Sequence, residues 1–372
     1  MKTFSSLGVS DTFIKALQEN NIVTPTEIQE KAIPFLIQSG TDFIGQAQTG
    51  TGKTAAFGLP LLQAIDPDLN AIQALILSPT RELGQQIAKQ LFRFTKYVPK
   101  KIFVESVYGG AYIEDQINAL KRPTHIVVAT PGRLIDLLEK KALTISNVKT
   151  IVLDEADEML SMGFKHELDS ILRQTNGKRA TWLFSATMPQ EIKSIIKTYM
   201  SPHAFRIEVG KMQVINKNIE HQYVVCGSEE KASILFHFIK TQGDNRGIIF
   251  CRTKAGAQNL ANQFEEKKIA GAAIHGDLMQ KERDKVMRAF KNKKLKILIA
   301  TDLAARGIDV ENLAYVLHLQ QPDKDEYYTH RSGRTARAGT KGLSISLVTP
   351  SELVGLKSLS QKLGFPLNEI KR

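Results

Sequence analysis

The chain has 372 residues, 42% of them apolar, with a formal charge of +12, a length that suits two to three domains of roughly 150 residues with well-buried cores. No run approaches the roughly 18 apolar residues of a membrane-spanning helix, and the amino-terminal MKTFSSLGVSDTF lacks the apolar stretch of a signal peptide, so a cytoplasmic location and no membrane partner are expected. After residue 206, 27 Lys and Arg stand against 18 Asp and Glu, an excess that points to a polyanionic partner such as nucleic acid.

In chain order, the stretch DFIG leads into AQTGTGKT (47–54) and then into the helical pattern of AAFGLPLLQAI. Strand, glycine loop and helix make this a phosphate loop. Gln48, Thr49, Gly50, Thr51 and Gly52 supply backbone N–H groups that turn inward around a β-phosphate, Lys53 reaches the β- and γ-phosphates, and the Thr54 hydroxyl is placed for Mg²⁺. The apolar runs QALILS (73–78), IFVESV (102–107), HIVVAT (125–130), TIVLD (150–154) and TWLFSAT (181–187) alternate with helical patterns such as 81–98 and 165–175. That alternation predicts a doubly wound α/β domain with a mainly parallel sheet.

Polar segments follow several of these strands. PTREL (79–83), Gly109–Gly110 and TPGR (130–133) each open a helical pattern. Glycine or proline there leaves N–H groups accessible, and Arg81 and Arg133 add positive charge, which suits a sugar–phosphate backbone read without regard to sequence. Taken singly, each is an ordinary turn; three together beside a nucleotide site favour a polyanion. TIVLDEADEML brings Asp154 and Glu155 to the carboxyl edge of the sheet, where Asp154 is placed to hold Mg²⁺ and Glu155 to orient or deprotonate a water. In SAT (185–187), Thr187 is also placed to cap a helix beginning at Pro189. No Asn-Lys-x-Asp element is present, which disfavours guanine.

A domain of residues 1–206 and a polar linker of 207–219 are followed by a second alternation over 220–372, with strands at 221–226, 247–251, 271–274, 296–301, 313–319 and 343–348 and a helix at 254–268. Cys226 and Cys251 lie in these runs with no Cys or His at metal-ligand spacing, so reduced buried thiols are expected. IATDLAARGIDV (299–310) again sets polar residues at a strand end, and HRSGRTARAG (330–339) places three arginines and a histidine far along the chain from the phosphate loop.

These segments resemble, across nearly the whole chain and in order, the DEAD-box ATP-dependent RNA helicases, named for the tetrapeptide found here as Asp154, Glu155, Ala156 and Asp157. TPTEIQ (24–29), HGDLMQKERD (275–284), ATDLAARGID (300–309) and HRSGRTAR (330–337) complete the match. The resemblance implies two tandem RecA-like domains, ATP and Mg²⁺ as cofactors, and RNA as a sequence-nonspecific partner. It implies that Gln29, in one motif with Thr24, reads the adenine edge. Phe4 would stack on the base or anchor the amino-terminal segment in the core. Asp309 would touch the ribose, and Ser185 and Thr187 would couple hydrolysis to domain arrangement. Arg334 and Arg337 look like arginine fingers, with His330 and Arg331 knitting the domains together. Pro79, Thr80, Arg81, Gly110, Thr130, Arg133 and Thr301 would form one RNA surface on closure. Asn21 and Ile22 stand where many relatives have Gly and an aromatic. Ribosomal or RNA-decay proteins are partners the resemblance allows, and a monomer is the expected state. An ATP-gated RNA clamp and a DNA translocase are the rival readings.

Overall fold

The apolar runs become strands because their alternate residues face two different cores. In the computed structural model, which describes residues 2–48, 50–175, 179–209, 216–305, 308, 310, 313–336 and 341–371, Ile76, Ile126 and Val128 enter one core of the first unit. Their neighbours Leu75, Leu77, Val127 and Ala129 enter the core on the opposite face of the same sheet. A strand buried on both sides has no need of polar alternation, which is why these segments read as continuous hydrophobic runs.

The chain divides into two units, residues 1–210 and 211–372. The strands of the first are β1 (Phe43–Gln46), β2 (Ala74–Leu77), β3 (Val104–Val107), β4 (Ile126–Ala129), β5 (Thr150–Leu153), β6 (Ala180–Ser185) and β7 (Phe205–Glu208). Its helices are α1 (Asp11–Glu19), α2 (Glu27–Ser39), α3 (Lys53–Ala64), α4 (Arg81–Phe94), α5 (Ile113–Leu120), α6 (Pro131–Glu139), α7 (Ala156–Ser161), α8 (Lys165–Gln174) and α9 (Gln190–Tyr199). The sheet has seven strands in the order β3-β4-β2-β5-β6-β1-β7. All its pairings are parallel. β7 pairs with β1 from Phe205↔Phe43 to Glu208↔Gln46, so residue 206 falls inside the last strand of this sheet.

The second unit repeats the plan with β8 (Ile219–Val225), β9 (Gly247–Phe250), β10 (Gly271–Ile274), β11 (Ile297–Ala300), β12 (Tyr315–His318), β13 (Gly342–Val348) and β14 (Asn368–Glu369). Its helices are α10 (Lys231–Gln242), α11 (Lys254–Glu266), α12 (Gln280–Lys291), α13 (Asp302–Ala305), α14 (Asp325–Ser332) and α15 (Pro350–Leu363). Its sheet, again parallel, runs β10-β11-β9-β12-β13-β8-β14. These are the two parallel sheets flanked by helices that the sequence predicts. Cys226 and Cys251 are buried free thiols. Among the described residues no helix is long and apolar enough to cross a membrane.

Candidate functional site

Parallel sheets collect the loops that follow their strands at one edge, and the first unit sorts its polar loops there. β5, β6 and β1 are consecutive neighbours, and they lead into the DEAD tetrapeptide, the SAT segment and the phosphate loop. β3, β4 and β2 are also consecutive, and they lead into Gly109–Gly110, TPGR and PTREL. One sheet edge therefore carries the nucleotide-binding candidates on one half and the backbone-binding candidates on the other.

On the nucleotide half, Gly50 and Gly52 have φ of +83° and +91°, the left-handed region that glycine enters without penalty. α3 begins at Lys53, which is 6% exposed and donates from Nζ to the Ala47 carbonyl at 3.2 Å. The glutamine motif is docked directly on this loop. Gln29 Nε2 donates to the Gly52 carbonyl at 3.0 Å, and its Oε1 accepts from Thr26 N at 2.9 Å. Thr26 Oγ1 donates to the Thr51 carbonyl at 2.8 Å. A Cβ on residue 52 would lie 2.4 Å from Gln29 Nε2, so a side chain there would push the amide out of this contact, and the φ of +91° also favours glycine. Gln48 is exposed, and its carbonyl accepts from Thr51 Oγ1 at 2.7 Å. Thr24 is exposed and Thr54 half-buried. Thr49 lies outside the described residues.

Asp154 is 2% exposed, and burial pushes its carboxyl up to about 7 although Lys53 pulls the other way. A carboxylate taken out of water is held in its charged form by a cation. Its carboxyl oxygens and the Thr54 hydroxyl are oxygen donors of the kind a hard divalent ion takes. Glu155 is 9% exposed and takes φ +52°, ψ +51°, a left-handed backbone that is costly for a residue with a Cβ and is found at functional turns. Behind these acids, Asp157 Oδ2 accepts from both the backbone N and the Oγ1 of Thr187, each at 2.8 Å. Ser185 Oγ donates to the Thr187 carbonyl at 2.7 Å and accepts from Asp157 N at 3.3 Å. The capping expectation for Thr187 is thereby corrected. α9 starts at Gln190 with Pro189 in the cap position, and the Thr187 hydroxyl is spent on Asp157.

On the other half, Thr80 caps α4 by accepting from Leu83 N at 3.3 Å, and Thr130 and Pro131 start α6. Ser78 and Thr80 flank Pro79 and are joined by a 3.3 Å bond from Ser78 Oγ to the Thr80 carbonyl. Gly109 N donates to Thr130 Oγ1 at 3.4 Å, and Arg133 donates to the Ala111 carbonyl at 3.1 Å. Gly110, at φ +84°, passes so close to Arg81 that a Cβ would lie 2.8 Å from its guanidinium. The three segments, scattered over more than 50 residues of sequence, thus form one cluster.

In the second unit, Thr301 is buried at the end of β11, where its carbonyl accepts from Ala305 N at 2.9 Å. Arg331 is 1% exposed. It grips Asp302 with Nε and a terminal nitrogen at 2.5 and 2.6 Å, donates to the Gln320 carbonyl at 2.8 Å, and lies over the Phe250 ring. Its described partners all lie within the second unit. Arg334 donates to the Ile308 carbonyl at 2.9 Å, and His330 is half-buried on α14. Asp309 and Arg337 lie outside the described residues.

The chain matches the family model for the DEAD/DEAH box helicase over residues 26–195 and that for the helicase conserved C-terminal domain over 230–339. The ATP-dependent RNA helicase CshA of Limosilactobacillus reuteri is 45% identical over 351 residues, covering 94% of this chain and 70% of that protein. The DEAD-box ATP-dependent RNA helicase CshA of Geobacillus kaustophilus is 42% identical, covering 95% and 75%. The chain belongs to the DEAD-box ATP-dependent RNA helicases. Among solved DEAD-box structures it is similar to S. cerevisiae Dbp5 bound to RNA and ADP BeF3, with TM-score 0.91, 29% identity and coverage of 100% and 96%. Mss116p bound to ssRNA and AMP-PNP has TM-score 0.89, 29% identity and coverage of 100% and 80%.

Within this DEAD-box chain, Phe4 is 3% exposed and packs in the core with Leu7, Val9 and Phe13. It anchors the amino-terminal segment, and this structure offers no open ring face for a base. Asn21 takes φ +57°, a conformation that asparagine tolerates better than most residues, while Ile22 packs on the same core as Phe4. Sequence reasoning missed Thr26, Asp157 and Asp302. The T-x-x-Q spacing of Thr26 and Gln29 is a capping-box signal that could have found the first. Asp157 and Asp302 stand in the quoted DEAD and ATDLAARGID segments, but nothing local marks their tying roles, because their partners lie 30 and 29 residues away.

Proposed function

We propose that this DEAD-box helicase holds ATP with Mg²⁺ on the β5-β6-β1 half of its first sheet edge and RNA backbone on the β3-β4-β2 half. Hydrolysis is then coupled to local duplex unwinding or RNA–protein remodelling through domain closure. The observation that supports this reading is the sorting of the loops: the same sheet edge carries the two sets of candidate residues side by side, joined by the strand pair β2 and β5. The related Dbp5 and Mss116p structures each hold RNA together with a nucleotide or its analogue, which supports the same pair here.

In this reading Lys53 neutralises the β- and γ-phosphates, Gln29 reads adenine while bracing the phosphate loop, and Glu155 orients the attacking water. Asp154 and Thr54 hold Mg²⁺, which supplies charge neutralisation to the phosphates when bound. Ser185 and Thr187 relay the state of the acidic turn. Arg334 and Arg337 serve as arginine fingers on closure, and Asp309 contacts the ribose. Arg81, Gly110, Arg133 and Thr301 engage phosphates and sugars, so affinity depends on salt more than on base sequence. A monomeric state, a cytoplasmic location and ribosomal or RNA-decay partners belong to the same reading and rest on family resemblance.

The test compares ATP turnover without nucleic acid, with single-stranded RNA and with DNA of the same sequence, alongside displacement of a short RNA duplex. Turnover stimulated by RNA but not DNA, with ATP-dependent displacement, is expected from 2′-hydroxyl contacts. Equal stimulation by DNA favours a translocase. RNA binding with a non-hydrolysable analogue but no displacement favours a clamp, and turnover indifferent to RNA overturns the reading.

A further inference from the structure

α12 begins at the end of the loop that follows β10, and β10 neighbours β11, the strand that ends at Thr301. From residue 285 to 296 the chain carries six Lys and Arg and no Asp or Glu. On the helix, Lys281, Lys285 and Arg288 are spaced by four and three residues, which sets them on one face. All three are exposed, whereas Arg283 and Phe290, at 6% and 0%, face inward. The two acids of the helix are engaged locally: Glu282 accepts from Met279 N at 2.9 Å, and Asp284 accepts from Gln280 at 2.6 Å. Among the described residues Lys281, Lys285, Arg288, Lys293 and Lys294 have no carboxylate partner, while Lys296 pairs with Asp244. Lys293 also takes φ +60° just past the helix, a position where glycine or asparagine is the usual choice.

We infer that this cationic stripe is a second RNA path, which takes the phosphate backbone of single strand continuing beyond the core at Thr301. The inference rests on RNA being the polymer that the core binds. From Lys281 to Arg288 the stripe runs about 10 Å at 1.5 Å per residue, and Lys293 and Lys294 follow just past the helix end, enough for more than one phosphate. A polar lysine row without aromatic residues reads charge and spacing, not bases. The competing role for these lysines is to guard β10, an edge strand of the sheet, against pairing with another chain. The two roles separate under charge reversal, because glutamate guards an edge as well as lysine does but repels phosphate.

The experiment uses the full chain and a triple variant, Lys285→Glu with Arg288→Glu and Lys293→Glu, with oligouridine of about 10 and about 30 nucleotides as probes. The wild type is expected to bind the longer strand more tightly and with a steeper salt dependence. The variant should lose about tenfold in affinity for the long strand, with a salt slope reduced by about 2, while affinity and ATP turnover with the short strand stay unchanged. Equal loss on both strands, or loss on neither, overturns the second path. If the wild type binds the short strand but gains nothing from length, the core reading stands and this inference falls; if it binds neither, the core reading itself fails. An unchanged thermal transition in the variant excludes unfolding as the source of the effect.

Discussion

Asp157 Oδ2 accepts both the backbone N–H and the hydroxyl of Thr187, each at 2.8 Å. The last acid of the tetrapeptide after β5 therefore holds the turn after β6, and Ser185 closes the loop through its bonds to Asp157 N and the Thr187 carbonyl. A charged acceptor bonded twice in a half-buried setting is worth roughly 1.5–3 kcal/mol per bond. Asp157→Asn and Thr187→Val should each lower RNA-stimulated strand displacement by about tenfold, and the double variant should do no worse than either alone, because both remove the same link. Displacement and ATP turnover measured across this cycle check the link, and additive losses would show that the two residues act separately.

Arg331 and Asp302 make the corresponding internal tie in the second unit, with two bonds of 2.5 and 2.6 Å around an arginine that is 1% exposed. Breaking a buried pair leaves one charge without its partner and costs about 3–5 kcal/mol. Arg331→Lys should be nearly as damaging as Arg331→Ala, since an ammonium cannot reproduce the planar two-point grip. Denaturant unfolding followed by a probe in each unit should show the loss in the second unit's transition, with the first unit's midpoint unchanged. A lysine variant of wild-type stability would refute the role.

What could be read in the sequence follows from how local each signal is. The strands QALILS and HIVVAT announce themselves because both faces are buried, and AQTGTGKT because a loop that cradles phosphate needs glycine at fixed positions. Strand order is not local. Nothing in PTREL, Gly109–Gly110 and TPGR states that β3, β4 and β2 lie side by side, and only that adjacency turns three ordinary turns into one surface. The SAT segment shows the limit most clearly: helix-start chemistry near Pro189 suggested a cap, but an acid 30 residues upstream claims the Thr187 hydroxyl. Arg331 was legible as a functional cation and illegible as a buried one, because burial depends on Asp302 and Gln320 arriving from other strands' ends.

Acid should weaken the second unit. His221 bonds Tyr328 at 2.9 Å and packs on Phe365, and burial pulls its pKa down to about 4. His318, stacked on Tyr328 and close to Arg331, is likewise held well below its usual value by burial and by that charge. As the folded ring titrates below the unfolded one, the unfolded chain takes up the proton first. Stability is full above the ordinary histidine range, near 6.5, and falls as the pH drops toward 4. At about pH 5, His221 alone should cost about 2 kcal/mol relative to neutral pH. His221→Gln should reduce the pH dependence of the denaturation midpoint without abolishing it, because His318 remains; an unchanged dependence would exclude His221 as its source.

Glu155 and Lys53 should fail in different ways. Both are buried at the same edge; in the proposed function Lys53 belongs to the loop that meets the ground-state phosphates, while Glu155, on a left-handed turn with φ +52°, is assigned to the attacking water. Lys53→Ala removes a charge partner that acts before any chemistry, so nucleotide affinity itself should fall. Glu155→Gln keeps the shape and the hydrogen-bonding reach of the side chain but cannot serve as a base. ATP and RNA binding should be preserved while hydrolysis slows by roughly 10²–10⁴, the usual range for loss of a positioned general base. Because release follows hydrolysis, this variant should hold RNA in a long-lived complex with ATP, visible as slow dissociation in a competition chase. Glu155→Gly supplies the control on the backbone: it relieves the strained turn without restoring a base, so it should be as slow as the glutamine variant while unfolding at the same or a higher temperature. Near-normal turnover in Glu155→Gln would remove the residue from the chemistry and leave its left-handed turn as a purely structural feature.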